Sequence, residues 1–151
     1  KGIWPAQVVA FTTQSSFGTL PVTIESLENN IGVSSSTASF VASLGSTVGM
    51  NGCGGVFPAI VAIFVANVFG IELTLTHYIL MILTIVVGSV GIAGVPGAAT
   101  MSTTLILTTL GLPIEGMAII LGVDAIIDMA RTLTNVTGAG LAAYIVDKEC
   151  K

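Results

Sequence analysis

Apolar stretches along the chain alternate with short breaks made of small, polar or glycine residues, and the lengths of the stretches predict the elements. Residues 5–15 form a short apolar arm that runs into Gln14-Ser15-Ser16-Phe17-Gly18-Thr19. A second arm covers 20–28, with Pro21 suited to the first turn of a helix. Neither arm has the roughly 20 residues that cross a bilayer core. Together they read as a re-entrant helical hairpin over residues 5–30 with a small polar tip. Ser34-Ser35-Ser36 then caps a predicted helix over 37–48. Four glycines follow in the seven residues from Gly49 to Gly55, and the apolar pattern resumes over 56–69 with Pro58 near its start. Residues 34–70 are therefore expected to be one transmembrane helix broken in its middle.

The second half repeats the plan. An apolar arm over 73–87 leads into the glycine-rich stretch 88–99, and a returning arm covers 100–112. Residues 73–112 read as a second re-entrant hairpin, and 114–147 as a last, continuous transmembrane helix. Hairpin plus helix, twice over, is the element order of transporters built from inverted repeats. The symmetry is one of architecture, because the halves share no convincing residue-by-residue identity. Glycine-rich breaks also serve close helix packing. Three breaks flanked by arms too short to span favour the other use, because irregular backbone at membrane depth survives only when buried or lining a polar cavity. The expected fold class is an all-α membrane protein with an inverted-repeat transporter core.

Charge sharpens the membrane reading. Of 151 residues, 53% are hydrophobic and 8% charged, too few charges to clothe a water-facing surface. No Asp, Glu, Lys or Arg lies between Glu28 and Glu72, or between Glu72 and Glu115. A net charge of −4 without basic clusters excludes nucleic acid as a partner. Lys148 and Lys151, after the last helix, fit a cytoplasmic C-terminus under the positive-inside rule. The expected location is the cell membrane, multi-pass. Cys53 and Cys150 show no disulfide or metal spacing. No signal peptide is visible, and the abrupt opening Lys1-Gly2-Ile3-Trp4-Pro5 reads as the interior of a longer protein.

The last helix carries most of the internal polar chemistry. Asp124, Asp128, Arg131 and Asn135 follow at spacings of four, three and four, so they share one stripe of a helix, with Thr132 at its edge. A charge inside a membrane helix costs at least about 2.5–3.5 kcal/mol on insertion scales, so these groups should face a cavity or one another. A bare Asp128–Arg131 pair at i, i+3 would leave Asp124 and Asn135 without a task. A ligand-binding stripe instead gives complementary roles to Arg131, Asp128 and Asn135. Arg131 can fork onto a carboxylate, Asp128 can accept from an ammonium, and Asn135 can do both. That set suits an amino acid, whereas a simple dicarboxylate gives Asp128 no cationic partner. Unwound backbone at the breaks supplies carbonyls for sodium and helix N-termini for a carboxylate. The lone His77, near Glu72 and Thr76, reads as an interface residue rather than a proton relay.

Several motifs resemble those of the dicarboxylate/amino acid:cation symporter family, which includes glutamate and aspartate transporters, over essentially the whole chain. Gln14-Ser15-Ser16-Phe17-Gly18-Thr19-Leu20-Pro21 resembles its first hairpin tip, and Gly91-Ile92-Ala93-Gly94-Val95-Pro96-Gly97 its second, gating tip. Asp124-Ala125-Ile126-Ile127-Asp128-Met129-Ala130-Arg131-Thr132, with Asn135-Val136-Thr137-Gly138, is similar to its last helix. The resemblance implies secondary active symport of an acidic amino acid such as glutamate or aspartate by alternating access. It also implies a homotrimer formed through a scaffold region absent from this chain. Asp128 would bind the amino group, Asn135 the α-carboxylate and Arg131 a side-chain carboxylate. Thr132, Cys53 and the backbone near Ser16 and Val95 would complete the pocket. A mainly backbone sodium site would include Thr47, Ser89, Val90 and Ile92.

The sequence departs from the family where sodium is bound. A family pattern of Asn-Met-Asp-Gly-Thr reads Gly49-Met50-Asn51-Gly52-Cys53 here, and Ala139 stands where a further aspartate is common. Hard cations favour the anionic oxygens lost at these positions. Fewer coupled sodium ions, or a proton instead, are expected, with no covalent cofactor. Asn51-Gly52-Cys53-Gly54-Gly55-Val56-Phe57-Pro58-Ala59 resembles the cystine-transporting branch, which makes cystine the rival substrate. A dicarboxylate carrier, or a pore or structural subunit, is a further alternative. No nucleophile–base set points to an enzyme.

Overall fold

Where small polar residues interrupt the apolar arms, the chain either turns or loosens its helix. The computed structural model describes residues 2–92 and 94–150. Lys1, Ala93 and Lys151 lie outside the described residues, and with them one residue of the second tip and two of the terminal lysines. The order is α1 (Trp4–Thr13), α2 (Ser16–Glu25) running into a π-helical turn (Ser26–Ile31), α3 (Ser35–Val48), a second π-helical turn (Asn51–Val56) and α4 (Phe57–Val68). Then come α5 (Leu75–Ser89), α6 (Ala98–Thr109), a 3₁₀ turn (Ile114–Gly116) and α7 (Met117–Glu149). The described residues are all-α, with no strand.

The first turn departs from expectation in one respect. Gln14 takes a left-handed conformation at φ 56° and returns its N–H to Ala10 O at 3.0 Å, which ends α1. Ser15 Oγ then accepts from Gly18 N–H at 3.0 Å and starts α2 at Ser16. Pro21 consequently sits in the middle of α2 rather than in its first turn. Lacking an N–H, it cannot serve the carbonyl one turn before it. Serine capping at the tip outweighed the proline signal.

The break after α3 is also tighter than the glycine count suggests. Non-helical backbone is confined to Gly49 and Met50, and Asn51–Val56 winds as a wide turn of the kind often found at functional sites. Ser34 is the N-cap of α3, but its hydroxyl bonds Thr37 Oγ1 (2.9 Å) instead of the helix backbone. Its N–H is taken by the buried Asp147 Oδ1 at 2.9 Å, which ties this loop to the end of α7. His77 has a structural place, its Nδ1 accepting the Thr74 N–H at 3.0 Å in a capping box that opens α5.

α7 is the spine: α1, α3 and the second π-helical turn pack along it, while α6 packs against α4 and α5. Small residues permit the closest approaches. A Cβ built on Gly45 would lie 2.6 Å from the Ala139 Cβ. Gly45→Val is therefore expected to separate α3 from α7 and to destabilise the protein by about 1–3 kcal/mol. A thermal melt in detergent reads this; an unchanged melting temperature would contradict the contact. Val61, Val65, Ile106 and Leu107 anchor one buried cluster, and Leu27, Val33, Ala38, Ala42 and Ala143 another. Outside, large apolar side chains face away from the fold, among them Phe40, Leu75, Ile79, Leu83 and Val87. Such a surface suits lipid rather than water, and the run Ser35–Val68 is long and apolar enough to cross a membrane.

Candidate functional site

The π-helical turn crosses α7 where the polar stripe lies, and glycine makes the crossing possible. A Cβ on Gly52 would stand 3.1 Å from the Arg131 Cα and carbonyl oxygen. That proximity brings the Gly52 N–H, which serves no helix carbonyl, within 2.8 Å of Asn135 Oδ1, which accepts from it. The Asn135 amide nitrogen donates toward Cys53 Sγ (3.2 Å) and Met50 Sδ (3.4 Å). Asn135 is 1% exposed, so its bonds fix the turn against α7 in a place closed to water.

One turn toward the N-terminus of α7 lies a buried charge cluster. Arg131 Nη2 contacts Asp124 Oδ1 at 2.8 Å and Asp128 Oδ1 at 3.0 Å, and Nε donates to Asp128 Oδ1 at 3.2 Å. The guanidinium lies over the Phe57 ring, 3.9 Å from its centroid, a cation–π contact that holds its plane. The Cys53 thiol donates toward the same Asp128 oxygen at 3.8 Å. Arg131 Nη1 is buried and has no hydrogen-bond partner among the described residues. A buried, unmet cationic donor is costly, so its place in the stripe marks where an acceptor belongs. Two carboxylates around one guanidinium leave the cluster one negative charge in excess, which favours a cation such as an ammonium.

The two tips meet above this cluster. The Gly94 carbonyl accepts from Phe17 N–H at 3.1 Å and from Ser15 Oγ at 3.0 Å. A Cβ at Gly94 would lie 2.5 Å from Ser46 O and 3.0 Å from the Ser16 Cβ, so glycine alone fits the junction. Gln14 Nε2 donates to Ala125 O (3.1 Å), and Thr100 Oγ1 to Asp124 Oδ2 (3.3 Å), tying both tip regions to α7. Chain segments far apart in sequence thus converge on one enclosed polar site.

Most of the residues singled out from the sequence are brought together. Asp128 holds Arg131, Cys53 links Asp128 to Asn135, Thr132 is buried on the same helix, and buried Ser16 reaches toward Met50 Sδ at 4.0 Å. Val95 lies next to the tip junction and is 47% exposed. Asp124, without a partner in the i, i+3 pairing, is Arg131's shortest contact. The proposed sodium set is less convergent. Ser89 and Ile92 pack at Gly54 across the break, whereas the Thr47 hydroxyl bonds Leu44 O at 2.8 Å and the Val90 side chain is exposed. Phe57, Met50, Gly52 and Thr100 were not singled out as ligand-site residues. Their roles arise from contacts between distant segments, and an aromatic beside Pro58 at the edge of the break is the one local hint.

The family model described as "sodium:dicarboxylate symporter family" matches residues 1–149. The chain belongs to that family. Relatives include an uncharacterized symporter of Haemophilus influenzae, 42% identical over 98% of this chain and 34% of its own length. The L-cystine uptake protein TcyP of Bacillus thuringiensis is 40% identical over 98% of the chain and 32% of its own length. A proton/sodium-glutamate symport protein of Bacillus subtilis is 43% identical over 93% of the chain and 32% of its own. The chain thus spans about a third of the length of the curated relatives it matches. Membership makes this a membrane protein of a transporter family, whose members are symporters rather than enzymes.

The family's sodium can be tested against the side chains present. Asn51 and Ala139, which stand where aspartates are common in the family pattern, and Gly49, which stands where an asparagine is, line one cavity of about 290 Å³ between α3 and α7 together with Val41, Leu44 and Val48. No carboxylate faces it. Among the described residues, no group of three or more His, Cys, Asp or Glu could hold a metal ion. A carboxylate-lined sodium site does not fit these residues.

Proposed function

We propose that this chain is the substrate-holding core of a secondary active symporter for an acidic amino acid, glutamate or aspartate, working by alternating access. The observation that carries the reading is the buried Asp124–Arg131–Asp128 cluster with its unmet Nη1, set one helical turn from Asn135. Asp128 would take the ligand ammonium, Asn135 the α-carboxylate, and Arg131 the second carboxylate through Nη1. Cys53, Thr132, and the backbone near Ser16 and Val95 would close around the ligand. In this reading α1–α2 and α5–α6 are re-entrant hairpins of an inverted repeat, and parting of the Gly94–Phe17 contact opens the site. Symport, trimerisation through a scaffold beyond this chain and a cytoplasmic C-terminus belong to the same proposal.

A second substrate has its own support. Cys53, at the centre of the site, and the likeness to TcyP favour cystine, whose two ends each carry an ammonium and a carboxylate. Uptake of labelled glutamate and cystine into proteoliposomes separates the two. Saturable, gradient-driven uptake of either supports the symporter, and conduction without saturation supports a pore.

The neutral cavity argues for weak coupling to sodium. Asn51→Asp combined with Ala139→Asp is expected to raise the sodium dependence of ligand binding, with affinity rising at least about ten-fold between sodium-free and sodium-rich buffer. A wild type already that dependent on sodium would contradict this account of the cavity.

A further inference from the structure

The five threonines of α6 do not all behave alike. Thr103, Thr104, Thr108 and Thr109 turn their hydroxyls back onto carbonyls of their own helix. Such back-bonding is the ordinary use of a threonine inside an apolar helix. Thr100 instead sends its hydroxyl across to α7, where Oγ1 meets Asp124 Oδ2 at 3.3 Å. The other oxygen of that carboxylate, Oδ1, holds Arg131 Nη2 at 2.8 Å. Thr100 lies just inside α6, immediately behind the second tip, whose Gly94 is bonded to the first tip.

We infer that Thr100 is a positioning residue that orients Arg131 through Asp124 and makes that orientation depend on the position of α6. The inference rests on the pocket proposed above. Arg131 is shared between Asp124 and Asp128. When Asp128 turns to a ligand ammonium, Asp124 becomes the remaining anionic restraint on the guanidinium. Asp124 is also the more open of the two, its side chain 15% exposed against 6% for Asp128, so it needs an outside anchor. A carboxylate has two free torsions, and fixing Oδ2 fixes where Oδ1 points. Phe57 sets the plane of the guanidinium, and Asp124 sets its rotation within that plane. If α6 moves with the tip, the Thr100 bond is lost, Asp124 is released, and Arg131 no longer presents Nη1 to a ligand carboxylate. Opening the gate and loosening the ligand become one event.

The test measures binding of L-aspartate, L-glutamate and L-cystine to the full-length protein as wild type, Thr100→Val and Thr100→Ser, and repeats Thr100→Val in an Asp124→Asn background. Valine keeps the shape and removes the donor. Hydrogen bonds to charged groups are felt at roughly ten-fold or more, and one acting at second hand by about three- to ten-fold. The expected result is a loss of that size in Thr100→Val for the ligand that the wild type binds, with the melting temperature unchanged. Thr100→Ser should bind within about two-fold of wild type, and Thr100→Val should add nothing once Asp124 is Asn. Wild-type affinity in Thr100→Val, an equal loss in the Asp124→Asn background, or a parallel fall in melting temperature would overturn the inference. Arg131→Ala is run alongside: if it binds as well as wild type, or if wild type binds none of the three ligands, the pocket itself is wrong and the inference falls with it.

Discussion

Asp128→Asn is expected to weaken amino-acid binding by about a hundred-fold or more and to abolish measurable uptake. Asp128 is 4% exposed and, once a ligand displaces Arg131 from it, its carboxylate is the group available to an ammonium. Losing one partner of a buried, hydrogen-bonded charge pair costs about 3–5 kcal/mol, which is about two to three and a half decades in affinity. Asn keeps the size, so packing against Cys53 survives and the loss is electrostatic. Isothermal titration of the variant reads the effect directly. The competing reading of the chain as a pore predicts the reverse: Asp128→Asn would still conduct, with altered selectivity.

Arg131→Ala should have the second large effect, on two observables at once. Ligands with a second carboxylate lose the Nη1 donor and its charge, and a drop of about a hundred-fold or more is expected for aspartate, glutamate or cystine. Thermal stability should fall as well, because Asp124 and Asp128 are left as like charges with no cation between them, and Phe57 loses the group it covers. Arg131→Lys should recover part of the stability and little of the binding. An ammonium can neutralise one carboxylate but cannot serve Asp124, Asp128 and a ligand in the fork that a guanidinium provides. Competition binding with aspartate against alanine separates the roles: the alanine affinity should change far less than the aspartate affinity.

Much of the architecture was legible because it depends on local signals. Arms too short to span, a serine-rich and a glycine-rich break, and a 4-3-4 polar spacing on one helix each have a direct physical reading, and α1 through α7 fall close to where those signals put them. The spacing of Asp124, Asp128, Arg131 and Asn135 could be trusted because helix geometry leaves little freedom in where such side chains point. What was not legible depends on tertiary approach. Pro21 reads as a helix start until the Ser15 hydroxyl claims the Gly18 N–H and begins α2 earlier. The glycines at 49–55 suggest unwound chain, but Gly52 is there because α7 passes within touching distance and Asn135 takes its N–H. Phe57 is an ordinary apolar residue until Arg131 is found beneath its ring. Asp124 could not be given a task, because nothing local says that one arginine answers to two aspartates and that a threonine on α6 holds the second.

The most direct test of the central claim is calorimetric titration of the purified full-length protein with aspartate, glutamate, cystine and succinate, each with and without sodium. Saturable binding of at least one of the three amino acids, with succinate much weaker for want of an ammonium and only modest help from sodium, is the predicted result. Succinate binding as tightly as the amino acids, or no binding of any of the four by a folded sample, would contradict the pairing of Asp128 with an ammonium and Arg131 with a carboxylate.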